Sequence, residues 1–492
     1  MIIKLVGAIN DLLWGDLIIL EFSGGEVQFG LSLLVLILIP AGLYFTFKTK
    51  FLPFRLFPEM IRVTLEKDDA KKDENSISGV QALIVATATR VGMGNLAGVV
   101  AAISFGGAGA VFWMWLTALI GSSSSFVEST LAQIYKEKDP LYGGYRGGPA
   151  YVMDRIRLVT KIKREDVFVK NVKEEAEYVA DDEQTYYTRG CKYGLLGTAF
   201  ALSGLLCWAG ISQVIGNSVT TSFQNAFGIP PIYSCLFLVL LAAVIVLRKN
   251  ASVRVLDLLV PIMAGIYIIL TLFLIIVNFR QLPGVFARVF EEALGLRQAI
   301  AGGFGAVLMN GVKRGLFSNE AGSGSAPCAA ATAETSHPAK VGLMQAMGVF
   351  IDTLLCTCTA MIMLLVPADK ISGLEGMDLL QAAMSWHFGE LGVIFIAVIL
   401  WLFSFTTFIG ILFYARSNVS YLFGDTWAAQ TAYKILALIM MFVGGLTAYT
   451  FVWDLGDVGV GLMTVFNLIA LIPMSKEALV SLRDYEAKYK KS

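Results

Sequence analysis

The sequence predicts an all-α membrane protein of eleven transmembrane helices, built as a five-plus-five inverted repeat with one extra N-terminal helix. Three observations carry this expectation. Of 492 residues 56% are hydrophobic and 15% charged, with mean hydropathy +0.68, whereas soluble domains carry about a quarter charged residues. Eleven runs come close to the roughly 20 apolar residues a spanning helix needs. They lie at 29–48, 80–104, 109–135, 193–211, 231–248, 257–278, 298–328, 341–366, 391–414, 431–451 and 456–473. The Lys and Arg residues then separate by alternate loops. Thirty of the 38 fall between or at the edges of these runs on one side, and five, Lys4, Arg280, Arg288, Arg297 and Lys370, on the other. The basic side is expected to be cytoplasmic, which puts the N-terminus outside and the C-terminus inside.

Taken in chain order, residues 1–79 read as an extracytoplasmic N-terminus, the extra helix and a basic cytoplasmic loop. The opening MIIKLVGAINDLLWGDLIILEF has one early Lys, a short interrupted apolar run and no small-x-small cleavage site, so it does not read as a signal peptide. Residues 80–278 form the first repeat. It includes the insert 154–192, where nine acidic and nine basic residues in Asp154–Lys192 demand water. Residues 279–473 form the second repeat, and 474–492 a basic cytoplasmic tail.

The second and seventh runs differ from the rest. Ala86-Thr-Ala-Thr-Arg90-Val-Gly92-Met-Gly94-Asn95-Leu-Ala-Gly98 and Asn310-Gly311-Val-Lys-Arg-Gly315-Leu-Phe-Ser-Asn319-Glu320-Ala-Gly322-Ser-Gly324 put glycines, charges and amides in mid-span, where lipid requires an unbroken helix. With the first helix set aside, they are the first members of two five-helix halves. An odd number of helices per half forces the halves to enter from opposite sides. Paired interrupted helices at matching positions point to a transporter's binding site. Half-helix N-termini suit a carboxylate and freed carbonyls suit Na⁺ or an ammonium group, so a zwitterionic amino acid matches both. The competing reading is that Gly94 and Gly98 only permit close helix packing, as in GxxxG contacts.

Other chemistry is poorly provided for. The 38 Lys and Arg balance 38 Asp and Glu, so no basic excess marks a nucleic-acid binder. Six Cys without a CxxC pair, two His, and no HExxH or GxSxG leave little for an enzyme. A channel, the remote alternative, would need an ion filter or a ring of charge.

The strings ATRVGMGNLAGVVAAISFGGAGAVFWMW, SFVESTLAQIYKEKD, YRGGPAYVMDR and RGLFSNEAGSGSAPCAAATAETSHP closely resemble the alanine/glycine:cation symporter family, in motif order from about Gly30 to Phe423. The resemblance implies a leucine-transporter-type fold in a prokaryotic cell membrane. It also implies symport of a small neutral amino acid with Na⁺, sometimes H⁺, by alternating access, with no cofactor beyond the coupling ion. Carried over residue by residue, the sodium carbonyls would be Ala88 and Val91. The hydroxyl ligands would be Thr406 and Thr407 in Ser404-Phe-Thr406-Thr407-Phe-Ile-Gly410, although a Thr bonded back to its own helix is the bland alternative. The amino acid would meet Thr89, Gly92, Met93, Gly94 and Asn95 with Asn310 and Gly311, unless Asn95 instead ties the two broken helices together.

Two departures from the family pattern bear on substrate. Gln213 stands four residues before Asn217, where the family's pocket Gln stands two before. Ile411 occupies the place, four residues after Thr407, where many members have Trp. A lost aromatic wall reshapes the pocket and makes glutamine an alternative to alanine or glycine. Glu128 and Asp352, charged within spans, are expected to face protein and to pair with Arg90, Lys313 or Arg314, with proton coupling as the other use. Glu320 is expected to cap the seventh helix, and Ser122–Ser125 to form a close-packed small-residue face.

Overall fold

The computed structural model describes residues 2–22, 27–66, 76–162, 194–248, 252–295 and 303–489. The insert expected at 154–192 lies mostly outside them. Each of the eleven apolar runs overlaps a helix: α2 (Leu33–Lys48), α3 (Gly79–Gly106), α4 (Gly109–Ile134), α5 (Leu195–Phe227), α6 (Pro231–Val246), α7 (Ser252–Val277), α8 (Phe304–Asn319), α9 (Pro338–Leu364), α10 (Glu390–Phe423), α11 (Trp427–Gly445) and α12 (Tyr449–Tyr489). Of these, α3, α4, α5, α7, α9, α10, α11 and α12 contain stretches long and apolar enough to cross a membrane. The other three, α2, α6 and α8, have 16 residues each, about 24 Å of helix against roughly 30 Å of hydrocarbon.

Several expectations need correcting. The molecule is not purely helical: ahead of α2, α1 (Ile2–Trp14) is followed by an antiparallel pair of strands, Ile18–Phe22 with Val27–Leu31. The run at 193–211 is the first half of a 33-residue helix, α5. Hydropathy underestimates it because Gln213, Asn217, Ser218 and Thr220 are buried against protein rather than lipid. Within the stretch 474–492, residues 474–489 continue α12 as helix.

α5 packs against α10, α11 and α12. Close approach is made possible by glycine: a Cβ on Gly216 would lie 2.0 Å from the Met441 carbonyl oxygen, and one on Gly459 2.4 Å from Cys207 Cα. α9 packs along α4. A short parallel ladder, Ile77–Ser78 with Ala333–Glu334, joins the start of α3 to the chain beyond α8. Ser76 Oγ donates to Glu334 Oε2 beside it (2.5 Å).

Lys313 and Arg314 find a partner that the sequence did not single out. Arg314 holds Asp457 of α12 through two parallel bonds of 2.9 Å, and Lys313 Nζ lies 2.8 Å from the same carboxylate. Trp14 of α1 donates its indole N–H to the Asp457 carbonyl (3.1 Å), and the Arg314 guanidinium lies 4.1 Å from the Trp453 ring centre. Removing one partner of a buried ion pair leaves uncompensated charge and costs about 3–5 kcal/mol. Asp457→Asn is therefore expected to lower the thermal midpoint in detergent sharply. Asp454→Asn, which alters a partly buried contact with Asn10, should change it little.

Candidate functional site

The break in α3 falls at Val91 (φ −78°, ψ 69°) and Gly92 (φ −153°, ψ −137°), and every residue from Arg90 to Gly98 is buried. A helix that opens in a dry interior must find new partners for its freed amides and carbonyls. Two side chains supply them. Asn95 Oδ1 accepts from the Gly92 N–H (2.9 Å), capping the second half of the helix from within. Thr407 of α10 accepts from the Met93 N–H (3.1 Å) and lies 3.2 Å from the Ala88 carbonyl, to which its hydroxyl donates. One hydroxyl thus spans the break, touching the C-terminal end of one half-helix and the N-terminal end of the other.

That contact explains Gly92: a Cβ there would lie 1.9 Å from Thr407 Oγ1. Thr407, Gly410, Ile411 and Tyr414 follow at helical spacing, so one face of α10 runs along α3. Gly410 admits Thr89, whose Cγ2 would be 2.5 Å from an added Cβ. Thr89 Oγ1 lies 2.7 Å from the Tyr414 hydroxyl, which donates to Glu320 Oε2 (3.0 Å). Ile411 is buried among the apolar residues of the core. Thr406 Oγ1 bonds back to the Phe403 carbonyl (3.0 Å), the local alternative for a helical Thr.

The second break follows α8. Asn319 ends the helix, Glu320 takes a left-handed conformation (φ 57°), and Gly322 and Gly324 have φ of 88° and 84°. Asn319 Oδ1 accepts from the Ala321 N–H (2.9 Å). Glu128 of α4 accepts from the Gly322 N–H (3.1 Å) and from Asn467 of α12 (2.7 Å), and Asn467 also donates to the Gly322 carbonyl (3.0 Å). The chain resumes as the short helix Ala326–Ala330.

The breaks meet through Asn95, Ser318 and Asp352. Asn95 Nδ2 donates to Asp352 Oδ1 of α9 (2.7 Å), and Ser318 Oγ donates to the same oxygen (2.7 Å). Asn95 therefore does tie the broken helices together. Gly94 serves close packing as well, since its added Cβ would lie 3.2 Å from Ser318 Cα, whereas Gly98 has only Phe317 at 4.0 Å. Neither Glu128 nor Asp352 takes the ion-pair partner expected of it. Lys313 and Arg314 are held by Asp457, and Arg90 spends its guanidinium on Gln345 (3.0 and 3.3 Å) and Ser125 (3.2 Å).

Three expected site residues lie elsewhere. Asn310 donates to the carbonyls of Ala306 (2.9 Å) and Phe105 (3.3 Å), at the far end of α3. Gly311 is a packing glycine: its Cβ would meet Trp113 Cβ at 2.5 Å. Gln213 lies under α11, where its backbone blocks any side chain at Gly444, and its Oε1 is buried without a partner. Ser318, Asp352 and Tyr414, which the sequence had not placed in the site, bond at the breaks. The seven-residue step from Thr407 to Tyr414 was a usable signal, whereas Ser318 carried none. Among the described residues no group of three or more His, Cys, Asp or Glu could hold a transition metal. The hard oxygens gathered at Ala88 and Thr407 are the kind that an alkali cation takes.

A family model described as the sodium:alanine symporter family matches residues 16–162 and 167–492. The chain is 40% identical over 484 residues to the probable sodium/glutamine symporter GlnT of Bacillus subtilis, covering 98% of this chain and 90% of that one. It is 39% identical to the amino-acid carrier protein AlsT of the same organism (91% and 88% covered). Identity to the sodium/proton-dependent alanine carrier protein of Bacillus sp. (strain PS3) is 32% (85% and 90% covered). Among solved structures, a manganese transporter of Eremococcus coleocola superposes with TM-score 0.51 at 12% identity, over 87% of this chain and 80% of that one. At that identity the likeness is one of fold.

Gly92→Ala is expected to destabilise the protein by about 1–3 kcal/mol through overpacking against Thr407. Gly98→Ala, with room around it, should leave the thermal midpoint within the error of a detergent melting experiment.

Proposed function

The chain belongs to the sodium:alanine symporter family, whose members are cation-coupled amino-acid carriers of the membrane, and on that premise we propose that it brings a small neutral amino acid, alanine or glycine, into the cell with sodium by alternating access. The carrying observation is the Thr407 hydroxyl set between the Ala88 carbonyl and the Met93 amide. Sodium entering there takes the oxygens of Ala88 and Thr407. Val91, whose ψ of 69° turns its carbonyl out of the helical direction, and Thr406, after rotating away from Phe403, complete the set. The amide end of the second half-helix, from Gly92 through Asn95, receives the substrate carboxylate. Thr89 and Ile411 close the sides. The proposal leaves Asn310 and Gly311 out, because they pack at the other end of α3. It retains Gln213 only as a group lining the approach, by virtue of its unpaired oxygen.

In this reading the chain crosses the membrane eleven times, N-terminus outside and C-terminus in the cytoplasm, with inverted repeats at 80–278 and 279–473. Because sodium joins α3 to α10 beside the amino-acid site, each ligand raises the other's affinity by the same factor. One positive charge moving inward across 100 mV contributes about 2.3 kcal/mol, about fiftyfold accumulation before any concentration gradient is added.

A second reading, glutamine as substrate, is favoured by Ile411 in place of the bulkier Trp and by the likeness to the probable sodium/glutamine symporter GlnT. Uptake of labelled alanine, glycine and glutamine into proteoliposomes under a sodium gradient, a proton gradient or neither separates the readings. Sodium-driven uptake of alanine or glycine supports the first, glutamine alone the second, and no gradient-driven uptake of any of the three sinks both. Thr407→Ala is expected to raise the sodium concentration for half-maximal uptake about tenfold, the loss of one charge-assisted contact. Unchanged sodium activation would remove Thr407 from the ion site. Ile411→Trp should narrow the accepted side chain, and undiminished uptake of the largest parental substrate would show that position 411 faces elsewhere.

A further inference from the structure

Asp352 sits where the two breaks meet and is 2% exposed. Everything that bonds it is neutral. Oδ1 accepts from Asn95 Nδ2 and Ser318 Oγ, each at 2.7 Å, while Oδ2 has only the Cys356 thiol at 3.8 Å. A carboxylate so enclosed requires a compensating positive charge. The charged and titratable groups on the elements around it are Arg90 from α3, Glu320 from the second break, Glu128 from α4, which is held by Gly322 and Asn467, and Cys356 on its own helix. Arg90 lies about one turn away, near Gly348, and is held by Gln345 and Ser125. Glu320 and Glu128 add negative charge. Elsewhere along α9, Tyr267 pairs with Thr359, His387 with the Ile362 carbonyl, Lys340 with Glu66, and His337 with Asp484.

The donor set indicates which cation compensates. Asn95 is oriented by the Gly92 N–H on its Oδ1, so it turns its NH₂ toward Asp352. Ser318 donates as well, and the atom nearest Oδ2 is sulfur. A sodium ion needs several oxygen acceptors, whereas here Asn95 and Ser318 both turn donors toward Asp352 and only a thiol sulfur stands by Oδ2. A proton on Oδ2 needs none.

Resting on the reading of this core as a cation-coupled symport site, we propose that Asp352 is a proton-binding group of the transport cycle. It carries a proton on Oδ2 while the breaks are joined as here, and releases it to water admitted when Asn95 and Ser318 part. Protonation of Asp352 and closure of the breaks are then one event.

The test uses the full chain in proteoliposomes at a fixed inward sodium gradient, with labelled alanine, glycine and glutamine and a trapped pH-sensitive dye. Uptake is measured against pH for the parent, Asp352→Asn and Ser318→Ala, each scaled to its own maximum. The parent is expected to titrate with a single proton and to move protons with substrate. Asp352→Asn should give a flat profile and no dye signal. Ser318→Ala, which removes a donor from the ionised form, should shift the midpoint upward by about one pH unit. A parental profile indifferent to pH, or an Asp352→Asn profile that titrates like the parent's, overturns the proposal. Where Asp352→Asn fails to fold, an unmoved midpoint in Ser318→Ala does the same. No sodium-driven uptake by the parent overturns the underlying transport reading and this inference with it.

Discussion

A backbone opened inside a membrane protein has to be hydrogen-bonded by something other than itself, and this constraint organises the molecule. At the first break the duty falls to Asn95 and Thr407, at the second to Asn319, Glu128 and Asn467. Each supporting side chain determines what its neighbours are. Thr407 demands glycine at 92, and Thr89 demands it at 410. Because Thr407 and Asn467 come from helices distant in sequence, the breaks persist only while the bundle holds those helices in place.

The same wiring gives the breaks a common fate. Asn95, Ser318 and Asp352 join them on the α9 side, and Thr89, Tyr414 and Glu320 on the α10 side. The ion triad of Lys313, Arg314 and Asp457 anchors α8 to α12 about two turns before the second break. A ligand that alters partners at one break therefore acts on the other through side chains already in contact, the kind of two-state element that coupling between ion and substrate requires. The likeness to a manganese transporter at 12% identity is one of fold alone.

Much of this was legible in the sequence, for physical reasons. Hydropathy finds helices because lipid enforces it, and each of the eleven apolar runs overlaps a helix among the described residues. Glycine and amide residues in mid-span mark α3 as broken because lipid tolerates no such run otherwise. The site was less legible. Gly311 and Gly315 look like break residues but admit Trp113 and Thr117 of α4, and a packing glycine is indistinguishable from a hinge glycine in one sequence. The actual second break begins at Glu320. Partner choice was also hidden, since nothing local tells Arg314 to choose Asp457, 143 residues away, over Glu128 or Asp352. The extent of α5 was missed because its second half buries polar side chains against protein.

The measurement that tests the central claim most directly is equilibrium binding of the labelled amino acid to purified protein, with sodium varied against choline at constant ionic strength, paired with sodium binding at varied amino acid. If sodium joins α3 and α10 beside the substrate, each ligand tightens the other by the same factor, and that factor collapses when Thr407 is replaced by Ala. Amino-acid affinity that is equal in sodium and in choline would contradict the account.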